Sequence, residues 1–126
     1  MTVLRLHNTL TRSKDEFVPL DPAHIRVYAC GPTVYDRIHI GNARPIVVFD
    51  VLVRLLRRRF ERVTYVRNIT DVDDKIIARA RERNESPEDL AQRYIDNFHR
   101  DMSGLGLLTP TAQPRVSTSM EAILSL

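Results

Sequence analysis

The sequence is short of cysteine, short of lysine and free of long apolar runs, and each shortage excludes something. A single cysteine among 126 residues, Cys30, cannot form an internal disulfide. Nor can a four-ligand structural zinc site be assembled from Cys30 and four histidines scattered without regular spacing. Cys30 is therefore a core thiol, a nucleophile or one ligand of a shared site. No window approaches the roughly 18 apolar residues of a membrane span, so no membrane role is expected. The opening stretch, MTVLRLHNTLTRSKDEF, has no apolar signal core and carries acids early, which argues against a secretory or transit leader and for the cytoplasm. Lysine occurs only at Lys14 and Lys75, so the net charge of +3 is supplied by arginine, whose planar fork suits bidentate phosphate contacts. Arg54, Arg57, Arg58, Arg59 and Arg62 nevertheless read first as a solvated helix face. The charge balance permits nucleic acid without arguing for it.

The remaining composition, 43% hydrophobic and 28% charged, is that of a globular protein with one core. Residues 3–7 (VLRLH) and 16–20 (EFVPL) flank the polar stretch TRSKD and predict an irregular hairpin, with Pro19 confining the second arm to an edge. IRVYAC at 25–30 alternates Ile25, Val27 and Ala29 with Arg26, Tyr28 and Cys30, then stops at Gly31-Pro32: a strand and a breaker. From about Gly41, Ile46, Phe49, Val53 and Leu56 recur at helical spacing beside Leu52, with the arginines expected on the other side and Pro45 in the first turn. VTYVRNI at 63–69 is a second strand. Strand, helix and strand make a right-handed βαβ unit, so the fold class is α/β with a parallel core.

After the βαβ unit, KIIARARER predicts a short amphipathic helix. Ser86-Pro87-Glu88-Asp89 opens another over 87–103, with Leu90, Tyr94, Phe98 and Met102 on one stripe. Residues 24–106 thus hold the βαβ core and the helices after it. Residues 107–126 read as a connector followed by a capping box, Thr118-Ser119-Met120-Glu121, and the first turn of a helix. A helix that short does not form unsupported, so the expectation is a piece of a larger protein.

The chemistry concentrates in residues 30–44. A strand-to-helix turn at the carboxyl edge of a parallel sheet is where open α/β folds bind ligands, because helix N–H groups and the positive dipole end face the crevice. Gly41 lets a ligand approach the backbone, and His39 and Asn42 offer hydrogen bonds to phosphate or ribose oxygens. Taken singly, each has a plainer reading: Asn42 an N-cap, Gly41 a turn glycine, His39 a satisfied histidine. Asp71, Asp73 and Asp74 suggest Mg2+, but acids at a helix start are explained by capping and the dipole.

Together, four segments resemble the cysteinyl-tRNA synthetase family: NTLTR at 8–12, CGPTVYD at 30–36, HIGNAR at 39–44 and VRNITDVDDKI at 66–76. HIGN is similar to the first signature of class I aminoacyl-tRNA synthetases, usually His-Ile-Gly-His, with Asn42 in place of the second histidine. The resemblance implies the first half of a Rossmann-like nucleotide-binding fold. It implies that Cys30 is a zinc ligand, the metal distinguishing sulfur from oxygen by bond type. It implies that Gly31, Thr33 and Thr70 line a cysteine pocket, and that His39, Gly41 and Asn42 contact ATP, which acts with Mg2+. His39 and Asn42 would be the catalytic pair, holding the triphosphate while cysteinyl-adenylate forms, before transfer to tRNA(Cys). Further zinc ligands, the lysine-rich second signature and an anticodon-binding domain are not present, so the chain is expected to carry half a site and to be inactive alone. Missing strands are expected to leave an apolar face and an open edge, and hence self-association. Two rivals stand beside this reading: the cysteine–amino sugar ligase of mycothiol biosynthesis, and a non-catalytic truncated paralogue acting as a binding module. NTLTR and DDKI favour the synthetase.

Overall fold

A computed structural model describes residues 3–126. Two short antiparallel strands, β1 (Arg5–Asn8) and β2 (Ser13–Glu16), come first, with Arg5 opposite Glu16 and Asn8 opposite Ser13. The hairpin was expected, but its arms differ. Ser13–Glu16 belongs to a strand rather than to the turn, and the reversal lies in residues 9–12, where Arg12 takes a left-handed φ of 56° and Asn8 Oδ1 accepts from the Leu10 N–H at 3.0 Å. Local hydroxyl–carboxylate bonds, from Thr11 and Ser13 to Asp15, make polar residues the strand here. Pro19 lies beyond both arms.

The βαβ unit follows: β3 (Ile25–Ala29), α1 (Ile40–Arg59) and β4 (Val63–Arg67). The strands pair in parallel, with Ile25 opposite Val63 and Ala29 opposite Arg67. Ala43, Ile46, Val53 and Leu56 turn α1 toward the core, and Val53 packs with Ala29 and Tyr65. Pro45 is the sixth helical residue rather than a first-turn one, because the helix begins at Ile40; its missing N–H leaves the Gly41 carbonyl without the usual donor. The outer face also differs from expectation. Ile40, Val48 and Val51 are exposed there, and the arginines gather in the last turn as Arg57, Arg58 and Arg59. Arg54 is not merely solvated: it donates to the buried Asp50 at 2.7 Å and to the Gly106 carbonyl at 2.9 Å.

Helix α2 (Asp74–Arg83) starts at the N-cap Asp73, which accepts from the Lys75 N–H at 2.8 Å, and ends at Asn84 in the left-handed conformation. Helix α3 (Pro87–Gly104) is capped by Ser86, whose hydroxyl accepts from the Asp89 N–H at 3.0 Å. The sequence stripe of α3 is its buried face: Leu90 and Tyr94 pack with Val34, Ile69 and Ile76, while Phe98 and Met102 meet Ala43 and Ile46 of α1. Helices α1 and α3 thus lie on the sheet face of Ala29, Tyr65 and Ile69. The opposite face, with Arg26, Tyr28 and Cys30, is exposed.

The segment after α3 is more than a connector. Thr111 N–H donates to the Tyr65 carbonyl at 2.7 Å, Arg67 N–H to Ala112 at 3.2 Å and Ile69 N–H to Pro114 at 2.9 Å, so residues 111–116 run parallel along the outer edge of β4. Pro114 has no N–H to return, which reduces the pairing to isolated bridges at Val66 with Ala112 and Ile69 with Arg115. A 3-10 turn (Ser117–Ser119) then leads into α4 (Met120–Leu124). The expected capping box does not form there. Neither Val116 nor Ser119 makes a side-chain cap bond; instead Ser117 donates through its N–H (2.9 Å) and its hydroxyl to Asp71.

Candidate functional site

The turn after β3 is held from four directions. At its start Gly31 donates its N–H to Asn68 Oδ1 at 2.8 Å, and a Cβ at position 31 would stand 1.6 Å from the Asn68 carbonyl oxygen. Only glycine lets the two strand ends approach so closely. Next, Thr33 and Thr70 form a parallel bridge: Val34 N–H donates to the Thr70 carbonyl at 3.2 Å, and Thr70 N–H to Pro32 at 3.1 Å. The three residues expected around a cysteine pocket are thus drawn to the carboxyl ends of β3 and β4. Val34, 1% exposed, anchors the turn in the core beside Ile69 and Ile76.

Two of the quoted motifs meet here. Arg79 of α2 donates to the Asp36 carboxylate, and Lys75 Nζ stands 5.5 Å above the Tyr35 ring. The Arg79 hydrogen bond, helped by the Arg37 N–H, holds the Asp36 carboxyl below the usual carboxylate range. Lys75 of DDKI thus meets CGPTVYD, and Arg79, three residues beyond that motif, adds the ion pair. NTLTR does not join them: its hydrogen bonds stay inside the hairpin.

His39 and Asn42 are placed by one another. His39 is the N-cap of α1; its Nδ1 accepts from the Gly41 N–H at 3.0 Å, and Asn42 Oδ1 accepts from the His39 N–H at 3.1 Å. This is a reciprocal capping box built from histidine and asparagine rather than serine and glutamate. Asn42 is thereby not the N-cap but the third helical residue. A Cβ on Gly41 would stand 3.2 Å from His39 Nδ1, so the small residue keeps the cap clear. With Nδ1 accepting, the neutral imidazole carries its proton on Nε2, and neither that group nor the Asn42 amide nitrogen is used by the cap. Both residues are exposed, at the positive end of a 20-residue helix with no acid in its first turn.

Cys30 is exposed rather than buried, which removes the core-thiol reading; its sulfur lies 3.5 Å from the Gly31 carbonyl. Among the described residues no three His, Cys, Asp or Glu side chains converge on one point. As a soft thiol Cys30 suits one position of a metal site, and the described residues do not group two further such ligands with it. The three acids divide their work: Asp73 caps α2, Asp74 lies in its first turn, and Asp71 binds Ser117. Sequence reasoning missed Arg67 and Asp50, both buried. The signal for Arg67 was available, since it occupies the inward register between Tyr65 and Ile69, where an apolar residue belongs.

Residues 16–126 match the family described as tRNA synthetases class I (C) catalytic domain. Over 123 residues the chain is 54% identical to a protein of Rhodospirillum rubrum named cysteine–tRNA ligase, covering 98% of this chain and 27% of that one. A protein of the same name from Xanthobacter autotrophicus is 57% identical over 125 residues, again 98% of this chain and 27% of its own. One from Acidiphilium cryptum is 54% identical over 126 residues, 100% and 28%. The chain spans about a quarter of the length of these relatives.

Proposed function

The chain belongs to the class I tRNA synthetase (C) catalytic-domain family, and on that premise we propose that it carries the ATP-facing and cysteine-facing turn of a cysteine–tRNA ligase. The observation that carries this reading is the His39–Asn42 cap. It leaves the exposed His39 Nε2 and Asn42 amide as unused donors at a helix N-terminus, where phosphate oxygens gain from N–H groups and dipole together. In the reaction proposed, the cysteine carboxylate attacks the α-phosphate of ATP, giving cysteinyl-adenylate and pyrophosphate; the ribose of tRNA(Cys) then attacks the activated carbonyl. His39 Nε2–H and the Asn42 amide hold the triphosphate as charge shifts, a task of positioning that needs no covalent nucleophile. Thr33 and Thr70 sit where the strand ends would flank the amino acid. We read β3–α1–β4 as the first half of a Rossmann-like fold, working in the cytoplasm. Mg2+ accompanies ATP as substrate. Cys30 would hold zinc with ligands from outside these residues, and zinc supplies thiolate selectivity; no step is derived through it.

Half a site predicts that not even the first step is completed. The 126-residue chain should show no cysteine-dependent pyrophosphate exchange. A chimera carrying it in place of the matching segment of the Rhodospirillum rubrum relative should exchange, and His39→Ala in the chimera should lower the rate at least about tenfold with little change in unfolding midpoint. Exchange that survives His39→Ala unchanged, or exchange by the chain alone, rejects the reading.

A further inference from the structure

The net charge of the molecule sits at one end of α1. Residues 57–62, RRRFER, hold four arginines and one glutamate, a charge of +3, which equals the net charge of the whole chain. The other acids and bases therefore balance, and the protein is a neutral body with one cationic end. Arg57, Arg58 and Arg59 form the last turn of α1, which closes where the Phe60 N–H donates to the Leu56 carbonyl at 2.9 Å. Arg62 follows in the turn to β4, its carbonyl accepting from the Ile25 N–H at 2.9 Å. The cluster thus lies at the amino ends of the strands, about 30 Å along a 20-residue helix from the His39 turn.

All four arginines are exposed. Among the described residues no ion pair holds Arg57, Arg58 or Arg62. Glu61 lies within the run, and Glu16 adjoins Phe17, whose ring meets Phe60 edge-on at 6.2 Å, yet neither acid pairs with these three. The helix dipole accounts for a cation or two in a last turn, and α2 gains as much from Arg81 and Arg83. It offers nothing to Arg62, which lies outside the helix, and crowding like charges costs free energy unless an anion screens them.

We propose that this end of α1 is a docking surface for a nucleic-acid backbone, read by charge and not by sequence. Three successive helical residues fan over about 200° around the axis, so they do not close on a single oxyanion but can meet phosphates repeated along a strand. The guanidinium fork suits those oxygens, two N–H groups to one phosphate. An acidic protein is the poorer fit because of what the cluster lacks. No large apolar side chain within 57–62 is exposed, so nothing there would anchor the dry centre of a protein interface. The surface lies at the opposite end of α1 from His39 and Asn42 and is additional to the ATP-facing turn.

The test is fluorescence anisotropy of a labelled RNA hairpin titrated with the chain across a series of sodium chloride concentrations. Affinity should fall as salt rises. The double variant Arg57→Gln/Arg58→Gln should bind at least about tenfold more weakly near ~0.1 M salt, with a log–log salt slope smaller by about two. Arg81→Gln/Arg83→Gln removes the same charge from the last turn of α2 and should leave affinity and slope nearly as they were. Arg62→Gln, outside any helix, should lower the slope by about one with no change in unfolding midpoint. Equal losses in the two double variants would mean diffuse attraction and overturn the surface, as would a hairpin that does not bind. Polyglutamate of equal charge binding as tightly as the hairpin would assign the arginines to an acidic polypeptide instead.

Discussion

The antiparallel pair β1–β2 buries none of its side chains, whereas the parallel pair β3–β4 buries Ile25, Ala29, Tyr65 and Arg67. The hairpin is held by what is near in sequence: the hydroxyls of Ser13 and Thr11 on Asp15, and the turn bond of Asn8. The parallel pair is held by what is far: α1 and α3 against one face, Gly31 against Asn68, and Thr33 against Thr70. The proposed function lies with the second kind of cohesion. A turn pinned at Gly31, Val34 and Asp36 holds its donors in place without a ligand, and such preorganisation is what positional catalysis requires.

The contrast can be broken most sharply at Gly31. Gly31→Ala drives a Cβ into the Asn68 carbonyl and should cost about 4 kcal/mol or abolish folding, while Thr9→Ala in the hairpin turn should stay within about 0.5 kcal/mol; urea unfolding of both measures the ratio. Equal costs would mean that the hairpin is as integral as the sheet. Leu90→Ala, in the core beneath the turn and 0% exposed, should cost about 3 kcal/mol by the same assay. The uncovered sheet face, with Tyr28 64% exposed, and the outer valines of α1 should make the chain associate as concentration rises. Light scattering across a dilution series checks this, and a monomer at every concentration would show that those faces need no cover. Acid sharpens the comparison least. The Asp36 carboxyl is held low by Arg79, so its stabilising contribution is complete above the ordinary carboxylate range and is lost as pH falls through its depressed value. Asp15 is lowered too, by the hydroxyls of Ser13 and Thr11, but in the exposed hairpin. Asp36→Asn should therefore flatten the acid limb of stability more than Asp15→Asn does, and the reverse order would place the pH-sensitive contact in the hairpin.

Elements with a strong period were legible. Val27 and Ala29 gave β3 its alternation, and Leu90, Tyr94, Phe98 and Met102 gave α3 its stripe. Ser86-Pro87 marked the start of α3 to the residue, because a cap is a local chemical event. Three things were hidden. β2 is polar throughout, so no hydrophobic alternation announces it. Residues 111–116 carry Pro114 and read as loop, although N–H groups of Thr111 and Val116 and carbonyls of Ala112 and Pro114 still pair them with β4 around the proline. His39 and Asn42 were legible as neighbours at a helix start, but their mutual capping was not, since either side chain could have capped alone. Arg67 stayed unnoticed inside a motif whose ends drew attention away from its inward register.

The clasp of Asp71 on Ser117 joins residues 46 apart, and so sets an order of events during folding. Helices α2 and α3 close through near neighbours and can form early, in the microsecond range of helix formation. The ladder of β3 on β4 must wait until α1 has brought Val63 back to Ile25, and residues 111–116 can dock only once β4 offers an edge. During synthesis the turn bearing His39 leaves the ribosome first, yet Asn68, Thr70 and Arg79, which fix it, follow only after α1. The nascent chain therefore carries the His39 turn unsupported for a few seconds at ordinary elongation rates of about 5–20 residues per second.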